Sequence, residues 1–195
     1  MVITERIKVL IAAQACLLIL RFENDCYPLL KNIFVIEDTY GEKGEKSHFI
    51  NPATGQPTFV PRLGESWKNG PIILSWKAIE QGLQRPHDGH NVVYHEFSHH
   101  IDQEDGSMDG IPPISEHAFY RQWVRVLGRE FRELRKKVEQ HRSTDIDPYG
   151  ATQGAEFFAV LTEYFFERPQ DLQRKHPEIY QLFKQFFKLD PSEWK

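Results

Sequence analysis

The chain has 195 residues, enough for one domain that buries about 70% of the surface its unfolded chain exposes. Its 40% apolar content, with fourteen Phe, seven Tyr and four Trp, excludes a disordered chain, and 27% charged residues exclude one without a large water-facing surface. A net charge of -4 and a pI near 6.1 give no electrostatic footprint for nucleic acid or an anionic membrane, so neither is expected as a direct partner.

The first predicted element is a helix through "VLIAAQACLLIL" (9 to 20). This apolar run is too short to span a bilayer. Glu5 dilutes the basic region ahead of it, Gln14 interrupts it, and no small-residue cleavage site follows before "RFENDCYP". It therefore reads as a buried core helix rather than an export signal. Cys16 and Cys26 stand in neither a CxxC nor another metal-ligand spacing, which argues against a disulfide scaffold and for a reducing, cytoplasmic setting.

"NIFVIED" (32 to 38), "PTFVPRL" (57 to 63) and "PIILSW" (71 to 76) are short β-branched and aromatic runs bounded by Gly, Pro and Asn, and are predicted strands. The last of these either offers an edge along which an extended peptide adds as a strand or lies inside the sheet. "KAIEQGLQ" (77 to 84) suits one or two helical turns. The polar "RPHDGH" (85 to 90) then leads into "NVVYHEFSHHID" (91 to 102), a short helix stopped by "EDGSMDGIPP".

From Ser115 to about His141, Phe119, Trp123, Val126, Leu127, Phe131, Leu134 and Val138 recur at three- and four-residue spacing, which predicts a long helix with one apolar face. Its basic end, "RELRKKVEQHR", reads as a solvated face. A loop, "STDIDPYGATQ" (143 to 153), precedes the strongly apolar helix "GAEFFAVLTEYFFERP", and "PEIYQLFKQFFK" (177 to 188) closes the pattern. Strands come early and helices late, which predicts an α+β fold in a single domain over residues 1–195.

A helix turns about 100° per residue, so with His95 at zero, His99 falls near 40°, Glu96 near 100° and His100 near 140°. His95 and His99 therefore point the same way and can reach one Zn²⁺, while Glu96 sits slightly aside, placed to take a proton from the attacking water and pass it to a leaving amine. The spacing is HExxH, a pattern that arises by chance in roughly a few chains per hundred, so its surroundings must carry the argument. His100 lies too far round to join the pair and suits a cleft rim or plain surface. Asp102, near 340° and about one turn beyond His99, either orients a ligand imidazole through its second nitrogen or ends the helix in water.

A catalytic zinc usually keeps three protein ligands. Glu156, flanked by Ala155, Phe157 and Phe158, is a carboxylate in apolar surroundings, and a metal is an effective partner for it. Glu163, on the same helix face, is the rival. Tyr149, in "DPYG", is either a packing residue or a phenol that hydrogen-bonds a developing oxyanion.

Several blocks in one order, "IAAQACLLIL", "GESWKNGPIILSW", "PHDGHNVVYHEFSHHIDQEDG", "PYGATQGAEFFAVLTEYFFERP" and "HPEIYQLFKQFF", resemble the Mlc titration factor A family of bacterial zinc-dependent peptidases. The resemblance covers nearly the whole chain. It implies a zincin-like metallopeptidase of the gluzincin type, with zinc on His95, His99 and Glu156, Glu96 as general base and Tyr149 as the catalytic tyrosine. It also implies binding of the glucose-responsive repressor Mlc and a link to control of sugar uptake. Family members carry a further helical segment ahead of "IAAQACLLIL", whereas this chain begins shortly before that block, so the segment is expected to be lacking.

The expected function is hydrolysis of a peptide or protein substrate by a water activated on one Zn²⁺, with aminopeptidase and endopeptidase action both open. The alternative is a regulator that binds and sequesters an Mlc-type repressor, its zinc mainly structural.

Overall fold

The computed structural model describes residues 1–23, 27–37, 48–50, 57–59 and 71–194, with residues 48–50 and 57–59 described as backbone only. Helix α1 (Glu5–Leu18) opens on Thr4, whose hydroxyl accepts from the Ile7 N–H. It buries Ile7, Ile11, Ala15 and Leu18 on one stripe while Val9 stays 63% exposed. The expected core helix is thus amphipathic: its apolar composition runs all round, but among the described residues only one face is buried. Cys26 and residues 60–63 of the "PTFVPRL" run lie outside the described residues.

Strand β1 (Ile33–Ile36) follows. Strands β2 (His48–Ile50) and β3 (Pro57–Phe59) form an antiparallel pair, of which the sequence reading anticipated only the second. Strand β4 (Ile72–Ser75) lies parallel to β1 in the register Ile33 to Ile72 through Ile36 to Ser75. Among the described residues these two make a two-stranded sheet. Ser75 closes β4 and its hydroxyl caps α2 (Trp76–Gln84) through the Ala78 N–H, so strand runs into helix without a loop.

Helix α3 (Val92–Asp102) is started by Asn91, whose side-chain oxygen accepts from the N–H groups of Val93 and Tyr94. Its residues from Phe97 to Asp102 are all buried. The expected rim or surface position of His100 is not met: it is 4% exposed, with Nδ1 3.1 Å from Gln103 Nε2. Burial and the neighbouring His99 lower its pKa to about 4, which keeps the ring neutral.

Helix α4 (His117–Glu139) buries Phe119, Trp123, Val126, Leu127 and Leu134, the face its spacing predicts. Helix α5 (Gly154–Glu167) is buried on every side from Ala155 to Phe166, which makes it the central element of the described fold. Two further helices follow, α6 (Pro169–Lys175) and α7 (Pro177–Phe187), each with proline in its first turn, and a 3-10 turn over Pro191–Glu193 comes after them. The sequence reading did not separate α6, because its seven residues are too few to display a period. Trp123 stacks on Phe183 with ring centroids 5.3 Å apart, and Phe165 packs among Tyr180, Phe183 and Phe187, so aromatic rings join α4, α5 and α7.

The architecture is mostly helical with a small parallel sheet, an α+β arrangement. Its consequence for the site is that α3, pinned at its start by Asn91, lies directly against the buried α5.

Candidate metal centre

His95 and His99 project from α3 toward α5, their rings meeting edge to face with centroids 5.0 Å apart. From α5, Glu156 Oε2 lies 2.9 Å from His95 Nε2 and 3.5 Å from His99 Nε2. One ligand atom from each of these residues falls within 4.8 Å of the others. Three atoms bound to one ion at about 2.0–2.1 Å and tetrahedral angles stand roughly 3.4 Å apart, so this cluster has the dimensions of a metal cage.

His99 supplies the test of fit. The residue is 1% exposed, and neither ring nitrogen has a hydrogen-bond partner. A buried polar nitrogen left in that state is costly. A metal ion facing Nε2 removes that cost for the nitrogen nearest Glu156, and two imidazoles with one carboxylate are the donor set of a His₂Glu catalytic zinc.

Glu163, the rival ligand, occupies another place. Its Oε1 accepts from His95 Nδ1 at 2.7 Å, and its Oε2 accepts from the Asn91 N–H at 2.5 Å. The physical reason is spacing: seven residues on one helix face place Glu156 and Glu163 about 10 Å apart along the axis, too far to share an ion. The His95 ring lies between them, with one carboxylate at each nitrogen. Glu163 thus fixes the tautomer that leaves Nε2 facing Glu156, and it also ties the start of α3 to α5.

Burial opposes a charge on His95, but the hydrogen bonds to Glu156 and Glu163 outweigh it and raise the pKa to about 10. Burial likewise opposes the charge on Glu156, yet hydrogen bonding to His95 and the nearness of His99 lower its pKa to about 2. Without a metal, then, a proton on His95 balances the carboxylates. Glu96 is half-buried beside the cluster, and burial raises its pKa, with Glu156 and Glu163 adding to the rise and the histidines opposing it.

Tyr149 belongs to a 3-10 turn over Pro148–Ala151 that Asp147 caps by accepting from the Tyr149 N–H. Its ring centroid lies 6.0 Å from that of His95. Burial, followed by the charges of Glu156 and Glu96, raises its pKa, so the phenol keeps its proton at neutral pH. The residue is 39% exposed, and a side-chain hydrogen bond to Glu156 also contributes to the raised pKa.

Asp102 departs from both of its expected roles. It does not end the helix in water, because it is 0% exposed. Its two carboxylate oxygens accept from the Gly110 N–H at 3.1 and 2.9 Å, and the ring nitrogen that receives a carboxylate is that of His95, from Glu163. Burial raises the Asp102 pKa to about 7, with the Gly110 N–H opposing the rise. A residue not anticipated is Gln153, whose Nε2 donates to Glu156 Oε1 at 3.2 Å and so steadies the oxygen that faces away from the histidines.

A buried His-His-Glu cluster held between two packed helices, with a carboxylate and a phenol beside it, marks a metallopeptidase-like domain. The comparisons with known proteins agree: the chain belongs to the glucose-regulated metallo-peptidase M90 family, whose model matches residues 1–188. It is 40% identical over 191 residues to an uncharacterized protein of Synechocystis sp., a match covering 97% of this chain and 69% of that protein. It is 32% identical over 194 residues to Mlc titration factor A of Serratia proteamaculans, covering 98% of this chain and 72% of the relative. Mlc titration factor A of Salmonella arizonae is 35% identical over 139 residues, 69% of this chain and 53% of the relative. The last match thus spans about half of that relative's length.

Proposed function

We propose that the chain is a zinc-dependent peptidase with a zincin-like fold of the gluzincin type, formed as one domain over residues 1–195. The observation that carries the reading is the convergence of His95 Nε2, His99 Nε2 and Glu156 Oε2, with the buried His99 nitrogens otherwise unpartnered. These three residues would hold the zinc, which when bound would supply Lewis-acid polarisation of a scissile carbonyl and acidify a water toward a pKa of about 7.

Glu96, half-buried beside the cluster, takes the proton from the attacking water and delivers it to the leaving amine. The Tyr149 phenol, protonated at neutral pH, donates to the oxygen on which negative charge develops. Glu163 holds the His95 ring, and Gln153 holds the free oxygen of Glu156. Substrate lies extended beside β4, whose second edge carries no strand among the described residues. No helix among the described residues is long and apolar enough to cross a membrane. The test is hydrolysis of short peptides, with free and with blocked N-termini, before and after chelation. Activity lost to chelator and restored by zinc is expected, with the free N-termini preferred by an aminopeptidase. Activity indifferent to chelator contradicts the reading.

A second reading is favoured by the names of the Serratia and Salmonella relatives, Mlc titration factor A. On this reading the chain binds an Mlc-type repressor and thereby affects genes of sugar uptake, with zinc holding the fold.

Both readings require zinc to displace the proton of His95. The raised pKa means that His95 stabilises the metal-free protein fully below its unfolded value of 6.5, a contribution lost as pH rises through about 10. Zinc needs the neutral ring. Its affinity is therefore expected to rise about tenfold per pH unit between roughly 6.5 and 10, as one proton leaves per ion bound. Competition titrations at pH 6.5 and 8.5 should differ by about 100-fold. A flat profile contradicts a proton shared between the two carboxylates.

A further inference from the structure

Behind the ligands, a second set of contacts joins the end of α3 to the start of α5. Asp102, the last residue of α3, accepts from the Gly110 N–H with both oxygens. On the other side of the Gly110 Cα, in the next peptide, the Gly110 carbonyl accepts from Trp123 Nε1 at 3.1 Å, and Trp123 is 0% exposed in α4. Gly110 has φ +85°, in the left-handed region, and a Cβ there would stand 2.3 Å from the Gly154 carbonyl oxygen. A Cβ on Gly154 would stand 2.1 Å from the Asp109 carbonyl oxygen, so the two backbones touch with no room for a side chain.

Gly154 is the first residue of α5, two before Glu156, and follows Gln153, which holds the second oxygen of that glutamate. A continuous path therefore runs from His99 through Asp102, the Gly110 peptide and Gly154 to Glu156. We propose that Asp102, Gly110, Gly154 and Trp123 form a clamp that sets the carboxylate of Glu156 against His95 and His99, making Asp102 a positioning residue for the third ligand through the loop peptide. The proposal rests on the zinc-site reading above. Its physical basis is tolerance: ligand distances must hold within about 0.2 Å, whereas the first turn of a helix frays unless something fixes it. A carboxylate on a single buried peptide N–H, with a backbone contact too close for any Cβ, provides that fixing.

The test is zinc affinity by competition with a chelating dye, read beside thermal unfolding and hydrogen exchange at the Gly110 amide. Asp102→Ala should weaken zinc about 10- to 100-fold and speed exchange at Gly110. Asp102→Asn keeps an oxygen for the Gly110 N–H and should restore both. Trp123→Phe keeps an aromatic ring at that buried position but deletes the donor to Gly110 together with part of the indole, and should also weaken zinc; it serves if the alanine variant does not fold. Unaltered zinc affinity in a folded Asp102→Ala or Trp123→Phe protein would overturn the clamp, whatever happens to the melting temperature. Asparagine as damaging as alanine would also overturn it, pointing to the charge of Asp102 acting on His99. If the unsubstituted chain took up no zinc, the zinc-site reading itself would fall, a result separate from these.

Discussion

Replacing Glu96 by Gln is expected to lower peptide hydrolysis by about 10²- to 10⁴-fold while leaving zinc content and the far-ultraviolet spectrum unchanged. The amide keeps the volume and polarity of the side chain but cannot take a proton. Glu96 lies next to His95 on α3 yet is not part of the His95, His99 and Glu156 cluster, so a metal held there should stay. This substitution also separates the two functional readings. A peptidase whose biological effect is catalytic loses that effect with the glutamine. A regulator acting by sequestration keeps the full effect in cells, and that outcome would remove hydrolysis from the account of its role even if the unsubstituted protein cleaves peptides in vitro.

The second large effect concerns the two glutamates of α5. Glu156→Gln should weaken zinc binding by more than the roughly 10- to 100-fold that outer partners of a metal site typically cost, because it removes the sole anionic ligand and leaves two imidazoles. Glu163→Gln should fall within that 10- to 100-fold range, because it touches His95 Nδ1 and the start of α3 rather than the ion. The order of the two losses is what matters. If Glu163→Gln abolished binding while Glu156→Gln retained it, the ligand assignment would have to be reversed. Dye competition at one pH, with thermal unfolding as a check on fold, measures both.

The part of the site that was legible in the sequence is the part carried by helical periodicity. The angular spacing of His95, Glu96 and His99 on a single short helix needs no tertiary information, and the apolar stripe of α4 is equally local. Glu156 stood out because a carboxylate among Ala155, Phe157 and Phe158 demands a partner. Glu163 satisfied the same criterion, and periodicity could not separate the two; what separates them is that the ring of His95 enters between them from another helix. His100 shows the converse failure. Its angle sets it apart from His95 and His99, and the structure keeps it out of the His95, His99 and Glu156 cluster, but burial depends on what packs against the opposite side of α3, and angle says nothing of that. Asp102 failed for a related reason, since its partner is a backbone N–H in a loop with no sequence signature. Gly110 and Gly154 read as ordinary loop and helix-start glycines until their backbones are seen in contact.

Whether α3 and α5 together build one zinc site is decided by the zinc content of the purified, dialysed chain. One zinc ion per chain is expected, retained through dialysis at pH 8 and lost on Glu156→Gln. A folded chain that takes up no zinc, or that holds it equally well without the Glu156 carboxylate, would contradict a site shared by the two helices.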